Sequence, residues 1–173
     1  KWFAEFLVTL DRRTAVGVEQ RLPQLLKKGG VAGVLDETGQ MHGDYARSVY
    51  YAKLAAATRL SNADVARVFD QAATLTTSDY YAAELLKSFG GRAGGEATVR
   101  AAMFKIIRAM SSDYYQAEAV RQAVGSGRLG AREIDFLIEI VPDSDSDYYK
   151  TDVLKQILAG GSRDDEQRRK LAG

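Results

Sequence analysis

The chain has 173 residues, of which 46% are hydrophobic, and its 24 Lys and Arg residues nearly balance 23 Asp and Glu residues, for a net charge of +1. This composition is too apolar for a disordered chain, and it gives no strongly basic surface for nucleic acid or anionic lipid. The absence of Cys excludes disulfides, thiolate metal sites and thiol nucleophiles, and it leaves the cellular compartment open.

The first 43 residues are expected to form a lead-in helix and one diverged helical unit. The segment KWFAEFLVTLDRR is too short for a membrane span and lacks a signal-peptide cleavage pattern, so we expect a helix that covers one end of the structure. The following VEQRLPQLLKKGG predicts a helix that ends at its glycines, with a late start or a kink at Pro23. Because the chain begins without Met, it is expected to be a fragment or a processed product.

A short motif recurs through the rest of the chain. Ser-Asp-Tyr-Tyr occurs at 78–81, 112–115 and 146–149, and a weaker copy contains Asp44 and Tyr45. The motif Asp residues stand at intervals of 35, 34 and 34 residues. A fixed interval of this size is typical of repeat proteins. We therefore predict one domain, 1–173, in which the first part, 1–43, is followed by the units 44–78, 79–112, 113–146 and 147–173, the last one incomplete.

Each unit is predicted to be a pair of helices. Apolar residues recur six, seven and ten positions after the motif Asp and seven, ten and eleven positions before the next one, which describes one stripe on each of two helices. Glycine-rich segments such as GGRAGG separate the two stripes and indicate helix ends with a left-handed glycine. The sequence therefore predicts an all-α fold, an α-solenoid of about ten or eleven helices in antiparallel pairs.

The repeated motif has a structural interpretation. The Ser hydroxyls are expected to cap the first helix of each unit, and the Asp places negative charge at the positive helix end. The Tyr pairs are expected to pack in the joint between consecutive units. The alternative is a role of these tyrosines in signalling or catalysis, but the regular repetition of the motif favours packing. The predicted structural residues are Asp44, Tyr45, Ser78, Asp79, Tyr80, Tyr81, Ser112, Asp113, Tyr114, Tyr115, Ser146, Asp147, Tyr148 and Tyr149.

No set of residues predicts catalysis, a metal or a cofactor. The single His, His42, has neither a second His nor a Cys to act with, so we assign it to a surface turn. DSDSDYY resembles the start of a calcium loop, but Tyr148 and Leu154 stand where that loop needs Gly and Glu. GGRAGG lacks the Gly-Lys-Ser or Gly-Lys-Thr ending of a phosphate loop and follows a helix. The closing SRDDEQRRKLAG predicts a mixed-charge helix.

The motif followed by an apolar pair, with RRTAVGVEQRLPQLLKKGGVAGVLDE upstream, resembles the HEAT-like helical repeat region of bacterial proteins. Tetratricopeptide repeats share the period but not the signature residues. The resemblance implies an interaction scaffold, in some proteins attached to membrane sensor or zinc metallopeptidase modules. The peptidase signature His-Glu-x-x-His is absent, so no activity is implied.

The expected function is therefore non-catalytic binding of a protein or peptide by a region of a larger bacterial protein, with no nucleic acid partner and no membrane span. One alternative is a nucleic-acid-binding or nucleic-acid-processing protein that uses a basic groove. Another is a sensory or spacer region of a membrane protein. The basic residues that such a groove would use are Lys53, Arg59, Arg67, Lys87, Arg92, Arg100, Lys105 and Arg108.

Overall fold

The computed structural model of the chain describes residues 2–90, 96–125, 130–140 and 146–160. These residues are all-α, with nine helices and no strand among them. The helices are α1 (Trp2–Thr14), α2 (Val18–Gly39), α3 (Asp44–Ala57), α4 (Asn62–Leu75), α5 (Asp79–Phe89), α6 (Ala97–Ala109), α7 (Asp113–Gly125), α8 (Ala131–Ile140) and α9 (Asp147–Gly160). Residues 91–95 of GGRAGG, Asp143 and Asp145 of DSDSDYY, and the closing charged segment lie outside the described residues.

The motif Asp begins a helix in every unit, as predicted. The helices α3, α5, α7 and α9 start at Asp44, Asp79, Asp113 and Asp147. Helix α1 confirms the expected helix in the first segment. Among the described residues, no helix combines the length and the apolar character that crossing a membrane requires.

The predicted apolar stripes face the interior. On the first helices, the residues ten positions after the motif Asp are at most 2% exposed: Leu54, Phe89, Ala123 and Ile157. On the second helices, the residues ten positions before the next Asp are fully buried or nearly so: Phe69, Met103 and Leu137. Burying the Leu, Ile, Phe and Met side chains among them contributes about 1.5 to 3 kcal/mol each. The period of the apolar residues therefore identified the core.

Two rows of helices follow from the packing. Helices α3, α5, α7 and α9 pack consecutively on one another, and α2, α4, α6 and α8 do the same. Helix α1 packs against α3 at one end. One continuous set of buried residues runs between the rows. Residues about one sequence interval apart are thus neighbours within a row.

Two glycines mark corresponding breaks. Helix α2 is interrupted at Gly30, with φ 59° and ψ −152°, and α5 ends at Gly90, with φ 50° and ψ −138°. Both have the positive φ that the sequence predicted, but their ψ values belong to the extended region that only glycine adopts readily, not to a left-handed helical cap. Helix α2 starts at Val18, so the predicted late start at Pro23 is wrong, and the non-helical residue inside it is Gly30.

Candidate functional site

The motif Asp side chains connect one unit to the next. Asp44 Oδ2 accepts hydrogen bonds from the backbone N–H groups of Thr77, at 2.9 Å, and Ser78, at 2.8 Å. These N–H groups precede the first helix of the following unit. A carboxylate is a strong acceptor for such groups because the bond is charge-assisted and the helix end is positive. Asp44 therefore holds the start of α5.

The same contact recurs in the next two units. Asp79 Oδ2 accepts from the N–H groups of Ser111, at 3.0 Å, and Ser112, at 2.7 Å. Asp113 Oδ2 accepts from the N–H group of Ser146 at 3.0 Å. We call Asp44, Asp79 and Asp113 the aspartate series. Its members join residues that are 32 to 34 positions apart.

The predicted capping role of the Ser hydroxyl is wrong for Ser78. This residue occupies the N-cap position of α5, but its side chain makes no capping hydrogen bond. Its backbone N–H instead donates to Asp44, the carboxylate of the preceding unit. The acceptor at this helix start thus comes from a residue distant in sequence, which a local capping rule does not consider.

Arg47 adds a further connection in the first regular unit. Its Nη1 donates to Asp44 Oδ1, at 2.7 Å, and to the carbonyl of Leu75, at 2.8 Å. Its Nε donates to the carbonyl of Thr38 at 3.3 Å. The guanidinium is buried and placed against carbonyl groups at the ends of α2 and α4, where the helix dipole favours a positive charge.

The paired tyrosines form a continuous row of rings. Within a unit, the two rings meet edge to face with centroids 5.0 to 5.1 Å apart. Between units, the first ring of one pair meets the second ring of the next at 6.0 to 6.3 Å. We call this set the tyrosine row, which in order of contact is Tyr45, Tyr81, Tyr80, Tyr115, Tyr114, Tyr149 and Tyr148.

The row lies at the surface. The first ring of each pair is exposed, with fractions of 53% for Tyr45, 48% for Tyr80 and 49% for Tyr114. The second rings are half-buried. The tyrosines therefore meet across the joints between units, as expected, but the first rings are not enclosed there. The fully buried tyrosines are Tyr50 and Tyr51 of α3, which lie outside the motif.

A separate buried group of charges joins α1, α2 and α3. Glu37 accepts two hydrogen bonds from Arg12, at 2.7 and 3.1 Å, and pairs with Arg21 at 2.7 Å. Asp11 accepts from the backbone N–H of Gly17 at 2.7 Å and from the hydroxyl of Tyr50. Asp11 and Glu37 are 2% and 6% exposed, so both depend on these partners for the hydrogen bonds that water would supply.

This environment shifts the pKa values of its members. Burial by itself raises the pKa of Glu37, but hydrogen bonds from Arg12 and the charge of Arg21 outweigh it, so the pKa lies below its ordinary value. Burial and the hydrogen bond to Asp11 raise the pKa of Tyr50. Burial also raises the pKa of Tyr51 to about 12. Glu37 is thus an anion and both tyrosines are neutral at pH 7.

Most of the basic residues that a nucleic-acid groove would use pair with carboxylates. Six of the eight do so, in the pairs Lys53 with Glu19, Arg67 with Asp64, Lys87 with Glu84, Arg100 with Glu133, Lys105 with Asp70 and Arg108 with Glu139. Arg59 is exposed, and Arg92 lies outside the described residues. The positive charges are therefore interspersed with negative ones.

The described part of the chain contains no group of three or more His, Cys, Asp or Glu side chains placed to hold a metal ion. His42 is exposed, as predicted for a turn residue. The carboxylates of the aspartate series accept hydrogen bonds from backbone donors. The arrangement can therefore fix helix ends and present aromatic rings.

Sequence reasoning missed Asp11, Glu37 and Arg47. Arg47 lies three positions after a motif Asp, where Gln116 of α7 also donates to a helix-end carbonyl, so its position in the repeat was a usable signal. No local pattern links Asp11 with Tyr50 or Arg12 with Glu37, which are 39 and 25 residues apart.

The chain matches no protein-family model, and searches of the curated proteins and of the solved structures gave no match.

Proposed function

We propose that the chain is an α-solenoid of HEAT-like units that binds a protein or peptide along the tyrosine row, without catalysis, within a larger bacterial protein. The observation that carries this proposal is the continuous row of exposed and half-buried rings on the first helices of successive units. Tyrosine rings offer a large contact area and a polar tip at a low cost in side-chain entropy, which suits recognition.

The solenoid arrangement is supported by contacts between equivalent positions of consecutive units. Lys53 pairs with Glu19, 34 positions away, and Lys105 pairs with Asp70, 35 positions away. The aspartate series has nearly the same separation. Stacked units of about 34 residues, with 1–43 as a lead-in helix and a diverged unit, account for these separations.

The aspartate series would also make the binding surface rigid. Each member of the aspartate series immediately precedes the exposed ring of its unit and is bonded to the next helix start. A ring held in this way loses little conformational freedom when a partner binds. The spacing of the rings along the row would then select an extended or helical partner with several apolar side chains.

A peptide-display selection against the intact chain tests this proposal. We expect selected peptides whose affinity, measured by fluorescence anisotropy, falls about tenfold or more in the double variant Tyr80→Ala and Tyr114→Ala. The matched control is Phe3→Ala, because Phe3 is an aromatic residue of α1 that is 64% exposed and outside the row. Equal affinity of both variants for every selected peptide would contradict binding at the tyrosine row.

The nucleic-acid alternative makes a different prediction. With mixed charge and six basic side chains in ion pairs, duplex DNA should bind no tighter than the non-specific range of about 10⁻⁴ to 10⁻⁶ M at physiological salt. A nanomolar complex whose affinity falls steeply with salt would favour the alternative over the scaffold.

A further inference from the structure

A cavity lies beside the start of α7, between the ends of α6 and α8. Its volume is about 430 Å³, within the range of roughly 300 to 1,000 Å³ that is typical of small-molecule sites. The proposed function does not use it, because none of its described lining residues belongs to the tyrosine row. The lining includes Arg108, Met110, Asp113, Gln116, Glu139 and Ile140.

The first regular unit shows what occupies the equivalent position there. The buried guanidinium of Arg47, three positions after the motif Asp, donates to the carboxylate of Asp44 at 2.7 Å and to the carbonyl of Leu75 at 2.8 Å. Leu75 is the last residue of α4. The guanidinium also donates to the carbonyls of Met41 and Thr38. A planar cation thus contacts one carboxylate and three carbonyl groups near helix ends.

The residues around the cavity are the counterparts of these groups. Asp113 is the motif Asp of its unit, and Met110 stands three positions before it, as Met41 does in the first unit. Ile140 is the last residue of the second helix of its unit. Gln116 stands at the position of the arginine, three residues after the motif Asp. The cavity therefore lies where the first unit holds a guanidinium.

Gln116 leaves this space open because its side chain is shorter than that of Arg47. Its Nε2 donates to the carbonyl of Ile107 at 3.2 Å. Ile107 stands six positions before the motif Asp, as does Thr38, whose carbonyl accepts from Arg47 Nε. One amide thus makes one of the contacts of the guanidinium, and the volume that the other guanidinium nitrogens take in the first unit corresponds to the cavity.

The charges around the cavity favour a cation. Helices α6 and α8 both end there, and the C-terminal ends of helices carry a partial negative charge. The described lining contains two acidic side chains, Asp113 and Glu139, and one basic side chain, Arg108, which leaves an excess of one negative charge. Arg108 is held by Glu139 at 2.8 Å and lies over the ring of Phe136, with its guanidinium carbon 4.9 Å from the ring centre.

A motif carboxylate can serve a helix start and a guanidinium together. Asp44 accepts backbone N–H groups of the next unit with Oδ2, and its Oδ1 accepts from Arg47. Asp113 accepts the N–H of Ser146 with Oδ2 at 3.0 Å. Because an ionised carboxylate has about four acceptor positions, the backbone contact of Asp113 is compatible with a cation in the cavity.

We propose that this cavity binds a guanidinium group, which donates to Asp113 and to the carbonyl ends of α6 and α8 as Arg47 donates to their counterparts in the first unit. A guanidinium fits this set of acceptors because its planar fork directs five N–H donors in fixed directions. An ammonium is a compact, strongly hydrated charge with three donors and satisfies fewer of these acceptors.

Two sources offer this chemistry, namely a small molecule such as free arginine and an arginine side chain of the chain itself. Residues 141–145, which follow Ile140, include two aspartates and no basic residue, so the adjoining segment supplies no cation of its own. The closing segment contains Arg163, Arg168 and Arg169. The experiment below distinguishes the two sources.

The probe is methylguanidinium at low millimolar concentration and constant ionic strength, with methylammonium as the matched control ligand. NMR spectra of the full chain should show saturable shifts of the backbone amides around Gln116, with an affinity about tenfold or more lower for methylammonium. Gln116→Arg should abolish this binding, because its own guanidinium fills the cavity, and should raise the unfolding temperature by several degrees. The control Gln20→Arg adds the same charge at an exposed residue of α2 and should change neither property.

A second variant calibrates the measurement. Arg47→Gln gives the first unit the residue that the third unit has, and its unfolding temperature should fall. Methylguanidinium should recover part of this loss and methylammonium should not, because a ligand that binds only the folded chain stabilises it.

Binding that Gln116→Arg abolishes and Gln20→Arg preserves supports the inference. Equal affinity for the two cations, or unchanged binding of methylguanidinium in Gln116→Arg, overturns it. None of these results alters the test of the proposed function, which depends on Tyr80 and Tyr114.

The source of the guanidinium is tested in a chain with Gln in place of the three closing arginines, Arg163, Arg168 and Arg169. Affinity for methylguanidinium that rises several-fold in this chain supports the site and identifies one of these side chains as its occupant. Unchanged affinity supports a guanidinium compound from outside the chain.

Discussion

The joint between α1, α2 and α3 and the joints between α3, α5, α7 and α9 use different chemistry. The first depends on particular side-chain pairs, in which Glu37 meets Arg12 and Arg21 and Asp11 meets Tyr50. The later joints depend on a carboxylate that accepts backbone N–H groups. Backbone donors are present whatever the side chains are, so the later joint can be copied from unit to unit. The joint between α1, α2 and α3 needs two matched side chains, and it lies at the α1 end of the row.

The difference in burial suggests which joint is more sensitive to mutation. Asp11 and Glu37 are almost fully buried, whereas the motif Asp residues are half-buried in the first three units. Removing one partner of a buried charge pair leaves the other charge without compensation, and this costs more than the pair contributes. The variants below compare the two kinds of joint in order of decreasing effect.

Replacing Glu37 should have the largest effect. Glu37→Ala leaves Arg12 and Arg21 without their shared carboxylate, and we expect the free energy of unfolding to fall by about 3 kcal/mol. Urea denaturation measures the change. The control is Glu19→Ala, because Glu19 pairs with Lys53 at an exposed site and should cost about 0.5 kcal/mol or less. Equal losses of unfolding free energy in the two variants would show that the buried charge group contributes no more than the exposed pair.

Replacing a motif Asp should show how much the contact between units contributes, because the described residues give the carboxylate of Asp79 two backbone donors and that of Asp147 none. Asp79→Ala removes the acceptor of two backbone N–H groups, and we expect a loss of about 2 kcal/mol. Asp147→Ala should cost about 0.5 kcal/mol, the helix-dipole contribution that both residues share. Denaturant midpoints of the two variants are compared at constant m-value. A similar loss for both would mean that the contact between units contributes little.

The stability cost of replacing a tyrosine should depend on how deeply its side chain is buried. Tyr114→Ala should cost about 1 to 2 kcal/mol, less than the 3 to 5 kcal/mol typical of a buried aromatic, because this ring is half exposed. Tyr114→Phe should have almost no effect. Tyr51→Phe should cost about 1 kcal/mol, because the buried Tyr51 hydroxyl donates to Gln71 at 2.9 Å. Thermal melts measure the stability of the three variants. A larger loss for Tyr114→Phe than for Tyr51→Phe would contradict this ranking.

The smallest expected effect is on the pH dependence of stability. It should reveal the buried carboxylate at the joint between α1, α2 and α3. The folded pKa of Glu37 lies below its ordinary value of 4.5, so Glu37 contributes stability above pH 4.5 and loses it as the pH falls through the folded pKa. Glu37→Gln should therefore lose less stability than the parent between pH 7 and acid. Urea titrations at several pH values measure this. Identical pH profiles would show that other carboxylates dominate acid unfolding.

The sequence by itself determined the all-α class, the starts of α3, α5, α7 and α9, and the buried stripes. These features depend on local information, since a helix start and an apolar period are properties of neighbouring residues. It also indicated that the tyrosine pairs belong at the contact between units. It expected the hydroxyl of Ser78 to cap α5, but this side chain makes no capping hydrogen bond, and the N–H of Ser78 donates to Asp44, a contact that only spatial position reveals.

Tertiary structure alone decided which charged groups are buried and which motif residues have partners. The sequence does not indicate which of its aspartates are buried, yet Asp11 is 2% exposed and Asp147 is exposed. Burial and pairing depend on helices that are distant along the chain, so no local pattern encodes them. The same reason explains why Tyr50 lies inside and Tyr148 outside, although both belong to first helices of the units.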